Sequence, residues 1–144
     1  MAHKTLAPGI SVTTQMSPAE IDAAAAAGFR TIINNRPDGE EPGQPSSAAL
    51  EARAHAAGLS YVHLPVAPGQ YDEPSIAAFR EALGSLPGPL LAFCKTGTRA
   101  TSLWGLCKAG DLTCDEIQRQ AAACGYDLAP LAPRIEQRAA VKHA

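Results

Sequence analysis

The tetrapeptide Leu90-Leu91-Ala92-Phe93 constrains this chain more than any other segment. It is apolar at every position and too short for a helix, and Pro87-Gly88-Pro89 cuts it off from what precedes. Such a run is a strand buried on both faces, as in the centre of a parallel sheet. Burial on both faces demands a helical layer on each side, so the remaining sequence has to supply several helices.

It does so in alternation with further strands. Residues 9–14 read as a first strand, and Ser17-Pro18-Ala19-Glu20 reads as a capping box with Pro at the first helical position. The Ala-rich helix that follows, 21–27, stops at Gly28, and residues 30–35 form the next strand. Residues 37–46, with three Pro and two Gly, are a long irregular loop. A helix over 47–57, a strand over 60–66, a loop over 67–74 and a helix over 75–86 lead to the apolar strand. Beyond it a helix spans 100–107, a second capping box at Thr113-Cys114-Asp115-Glu116 opens a helix to about Cys124, and a terminal helix follows from Pro130. The expected fold is α/β: a mostly parallel central sheet flanked by helices, in one domain over 1–144, with its core at about 6–110 and a C-terminal helical extension at about 111–144.

Bulk properties narrow the chemistry. A formal net charge of -2 with no basic cluster lacks the footprint of a nucleic-acid binder, and the apolar runs fall short of a membrane span. The first nine residues have no signal-peptide core, so the expected location is the cytoplasm, where thiols are reduced. The four cysteines, at 94, 107, 114 and 124, show neither C-x-x-C pairs nor zinc-finger spacing to His, so neither metal nor cofactor is expected. Cys107, Cys114 and Cys124 read as small apolar residues, with Cys107 as a second thought for resolving an oxidised Cys94.

The chemistry concentrates in Cys94-Lys95-Thr96-Gly97-Thr98-Arg99. Ligands of parallel sheets bind at the carboxyl ends of strands, and Cys94 stands at such an end, just before a helix. The unpaired N–H groups and positive dipole end of that helix favour an anion, and thiols in such settings ionise well below the usual 8.5, at roughly 3.5 to 7.5. Cys94 is therefore read as a thiolate nucleophile. Arg99 supplies a planar fork for two oxygens and Lys95 a looser charge; Gly97 permits the tight turn that aims amides inward, and Thr96 and Thr98 offer hydroxyls. Arg36, at another strand end, is read as a substrate contact or as half of an exposed ion pair with Glu40 or Glu41. Asp72 and Asp38 are candidate general acids, with competing roles as the N-cap of the 75–86 helix and as a turn former with Gly39. His63 and Trp104 read as structural.

The segment Asn34-Asn35-Arg36-Pro37-Asp38-Gly39-Glu40-Glu41-Pro42-Gly43-Gln44-Pro45, together with the Cys94 loop, resembles the phosphatase-like domain family related to the N-terminal part of beta-lactamase hydrolase-like proteins. The resemblance implies a cysteine-phosphatase fold and either phosphatase or sulfurtransferase activity. This loop departs from that of tyrosine and dual-specificity phosphatases. It has one residue fewer between Cys and Arg, Phe93 in place of the preceding His, and Ala100 where a hydroxyl follows the Arg. On that ground the sequence favours a sulfurtransferase. Cys94 would take sulfane sulfur from a small anionic donor (thiosulfate or glutathione persulfide) and pass it from a persulfide to a thiol acceptor. A phosphatase forming a phosphocysteine is the alternative, and a non-enzymatic module that binds an oxyanion or senses oxidation is the third.

Overall fold

The computed structural model describes residues 2–142. Five strands, β1 (Lys4–Ala7), β2 (Ile10–Thr13), β3 (Thr31–Asn34), β4 (Ser60–His63) and β5 (Leu90–Phe93), form one sheet in the order β1-β2-β5-β3-β4. β5 lies at its centre, parallel to β2 on one side and β3 on the other, and all four of its residues are buried.

The period of two in the strands sends alternate residues into two cores. Ile32, Leu91 and Phe93 pack with Met16, Ile21, Leu50 and Ala54, so α1 (Pro18–Ala26) and α2 (Ser47–Ala56) cover one face. Ile33, Leu90 and Ala92 pack with Phe79, Leu103, Trp104, Ile117 and Ile135. The second face is thus covered by α3 (Glu73–Ser85), α4 (Thr98–Lys108), α5 (Cys114–Ala123) and α6 (Ala132–Lys142). Both predicted capping boxes form: Ser17 and Glu20, and Thr113 and Glu116, exchange reciprocal hydrogen bonds at the starts of α1 and α5. No helix of the described residues is long and apolar enough to cross a membrane.

The structure departs from the sequence reading at several elements. β1 was not anticipated; it is a short edge strand, exposed at Lys4 and Thr5, that runs antiparallel to β2 through a turn at Pro8 and Gly9. β4 ends at His63 rather than 66, since Pro65 has no N–H to continue a ladder. α3 starts at Glu73, two residues early, with Asp72 as its N-cap. Cys107 is the small buried helical residue that the sequence reading put first, and it does not pair with Cys94. It lies near the far end of α4, roughly 14 Å along the axis from the helix start at 1.5 Å per residue. There it donates to Ile76 O at 3.3 Å, and burial pushes its thiol up to about 12.

Helix α4 holds the site in place. Every residue from Arg99 to Cys107 is buried, so the helix is enclosed on all sides. Gly105 makes that enclosure possible: a methyl group there would lie 2.8 Å from Leu128 Cδ1 and 3.1 Å from Ile117 Cγ2.

Candidate active site

β5 delivers Cys94 to the carboxyl edge of the sheet, and the chain turns at once into α4. Neighbouring strands tether the turn. Asn35 N–H donates to Phe93 O at 2.8 Å, and Gln15 N–H donates to Lys95 O at 3.2 Å. Gly97 caps α4 with φ of 92°, a left-handed conformation that other residues adopt only with strain. Its carbonyl accepts from Thr101 Oγ1 at 2.8 Å, and its N–H points at Cys94 Sγ at 3.1 Å. Thr96 Oγ1 donates to Thr98 Oγ1 at 3.0 Å, which directs the Thr96 hydroxyl proton into the loop itself. Cys94 is fully covered.

Arg99, the second residue of α4, is also buried. Its Nη1 donates to Glu40 Oε2 at 2.8 Å and to Val66 O at 3.0 Å, and its Nη2 donates to Glu40 Oε1 at 2.9 Å. A guanidinium has five N–H bonds. Among the described residues these contacts engage three of them, and the Nε–H and second Nη2–H along one edge remain to grip two oxygens of a ligand. Hydrogen bonding to Glu40, and next the nearby Cys94 charge, strengthen the hold of Arg99 on its proton.

Glu40 is the residue the sequence undervalued. It joins Arg99 to Arg36, whose Nε donates to the same Oε1 at 2.8 Å. The Arg99 hydrogen bonds, followed by those of Arg36, lower the Glu40 carboxyl to about 2. Arg36 itself is buried, not half of an exposed pair. It also donates to Glu41 Oε1 at 2.6 Å and to Gln15 Oε1 at 3.0 Å, and its carbonyl accepts from His63 Nε2 at 2.7 Å. Lys95, half-exposed, closes the chain of charges on Glu41 Oε1 at 2.9 Å. Three cations thus face two carboxylates, and one thiolate at Cys94 would bring the cluster to neutrality. Attraction for a further anion then comes from aimed N–H groups rather than from net charge.

Asp72 and Asp38 are each engaged at the start of a helix. Asp72 Oδ1 accepts from Ser75 N–H at 2.9 Å as the cap of α3, and those Ser75 hydrogen bonds hold its exposed carboxyl below the usual value. Asp38 Oδ1 accepts from Ser47 N–H at 2.8 Å and ties the Pro-rich loop to the first turn of α2. A residue with no sequence signal also joins the loop: Tyr126, after α5, donates its hydroxyl to Thr96 O at 3.0 Å.

Known proteins resemble this chain in sequence and in fold. The profile of the family described as beta-lactamase hydrolase-like protein, phosphatase-like domain, matches residues 2–111. A beta-lactamase hydrolase-like protein of Agrobacterium fabrum is 38% identical over 137 residues, covering 93% of this chain and 32% of that protein. One from Xylella fastidiosa is 40% identical over 121 residues, covering 83% of this chain and 28% of its own length. The chain therefore spans about a third of these relatives. Among solved structures, a proposed phosphatase of Neisseria meningitidis superposes with a TM-score of 0.87 at 34% identity, covering 96% of this chain and 99% of that one. Kinase-associated phosphatase, at 12% identity and a TM-score of 0.74 over 96% and 94% of the two chains, shares the fold. The chain belongs to the phosphatase-like domain family of the beta-lactamase hydrolase-like proteins.

Proposed function

We propose that this domain is a cysteine-dependent phosphatase acting on small phosphomonoesters. The observation that carries the reading is the juxtaposition at the head of α4: a cysteine that receives an aimed amide, and an arginine whose remaining edge matches two oxygens of a tetrahedral oxyanion. Cys94 Sγ, as thiolate, attacks phosphorus; the S–P bond forms as the ester P–O bond breaks, and the leaving oxygen departs with the bonding pair as an anion. Water then attacks the phosphocysteine, releasing inorganic phosphate and restoring the thiolate. Arg99 and the loop amides stabilise the equatorial oxygens. Since Cys94 is covered, substrate reaches it as the surrounding side chains rearrange.

This reading reverses the order favoured by the sequence, which put sulfur ahead of phosphorus. The weight moves because the family is described as phosphatase-like and a solved neighbour at 34% identity is described as a proposed phosphatase, which supports phosphorus over sulfur. With Asp72 and Asp38 both engaged at helix starts, the best substrates are those whose leaving group departs as a stable anion, such as aryl phosphates. Sulfur transfer stays as the second reading, supported by the short loop and by the fully buried Ala100 after Arg99. The deciding experiment incubates wild type and Cys94→Ser with an aryl phosphate and, separately, with thiosulfate, and follows turnover and intact mass. Phosphate release by wild type alone is expected. A sulfur adduct on wild type without phosphate release would establish the second reading, and inertness to both would leave a binding or redox-sensing module.

A further inference from the structure

The Thr96–Gly97 peptide is held at both ends. Its N–H donates to Cys94 Sγ at 3.1 Å, and its C=O accepts from Tyr126 Oη at 3.0 Å. In a planar trans peptide these two groups point in opposite directions, so fixing the carbonyl outward fixes the N–H inward. Gly97, with no side chain and φ of 92°, offers little resistance of its own to rotation of this unit. A rotated peptide would bring carbonyl oxygen, instead of N–H, toward the sulfur.

Tyr126 is built to prevent this. Its hydroxyl lies 2.1 Å, and its Cζ 2.8 Å, from the point where a Gly97 Cβ would stand, so the ring closes directly over the turn. Its backbone N–H is anchored on Ala121 O at 2.9 Å, the last turn of α5. A tyrosine hydroxyl is already a proton donor at neutral pH, and burial, followed by the Cys94 charge, raises that of Tyr126 further. The residue lies outside the 2–111 stretch matched by the family profile.

We propose that Tyr126 is a positioning residue for the nucleophile: its hydrogen bond to Thr96 O orients and polarises the peptide whose N–H stabilises the Cys94 thiolate. The proposal rests on Cys94 acting as a thiolate and is indifferent to whether phosphorus or sulfur is attacked. The test is the ultraviolet absorbance of the thiolate as a function of pH, taken as wild type minus Cys94→Ser. The same difference is then taken in a Tyr126→Phe background, so that tyrosine ionisation cancels. Loss of one hydrogen bond predicts a titration displaced to higher pH, with about three- to tenfold less thiolate on its acid side. Phe keeps the ring over Gly97, and a denaturant midpoint for each protein verifies that all four are folded. Superimposable titrations of the folded proteins would overturn the proposal even if the enzyme is active. A displaced titration in a protein inert to aryl phosphate and thiosulfate would sustain it while refuting the proposed function.

Discussion

Replacing Glu40 with Gln removes the charge that bridges two buried arginines while keeping the shape of the side chain. The carboxyl sits at about 2 in the folded protein against 4.5 ordinarily. A folded value below the unfolded one contributes stability that is fully present above about 4.5 and is lost as pH falls through that value toward about 2. The gap sets a ceiling of about 3 kcal/mol. The side chain is 23% exposed and its residue lies on an exposed loop, so solvent screening reduces the contribution to about 1 to 2 kcal/mol. Urea unfolding of wild type and Glu40→Gln at several pH values measures it. At neutral pH the variant should be less stable by about that amount, and the two curves should converge as pH drops from about 5 to about 2. Other carboxylates titrate in that window, but the difference between the two proteins cancels them to first order. A stability gap that stays constant from neutral pH to about 3 would refute the reasoning, because the loss would then owe nothing to the Glu40 charge.

Three further outcomes test the scaffold. Gly97→Ala should cost about 1 to 2 kcal/mol for the left-handed conformation alone, before the clash with Tyr126, and should abolish turnover; thermal unfolding and an aryl-phosphate assay read both. Gly105→Ala should lower stability by about 1 to 3 kcal/mol in urea by overpacking against Leu128 and Ile117. Asp72→Ala should cost about 1 kcal/mol while Asp72→Asn, an equally good cap, costs almost nothing, a contrast that urea midpoints resolve.

How much of this was legible in the sequence follows from how local each signal is. The apolar tetrapeptide placed β5, and capping boxes placed α1 and α5, because those signals lie within a few adjacent residues. The Cys94 loop was legible for the same reason. Glu40 and Arg99 are 59 positions apart, joined by an irregular loop with no period to read, so their pairing was invisible. Arg36 misled because a charged residue beside a Pro-rich loop ordinarily faces water; here Glu40, Glu41 and Gln15 satisfy it internally. Tyr126 is a single aromatic after a helix stop, with no pattern connecting it to a loop 30 residues earlier. β1 escaped since a four-residue edge strand with two exposed positions leaves no run of hydrophobicity.

The enclosure of α4 bears on how such a domain acquires a new substrate. A helix packed on every side has no free surface at which a substitution can be absorbed, so changes from Arg99 to Cys107 are felt first as instability. Room for variation lies at the rim, at the exposed positions that flank Glu40 and Glu41 in the Pro-rich loop and that flank Tyr126, while those three side chains keep their contacts with the site. Divergence among domains of this kind should be sought at those flanking positions rather than in the Cys94 loop.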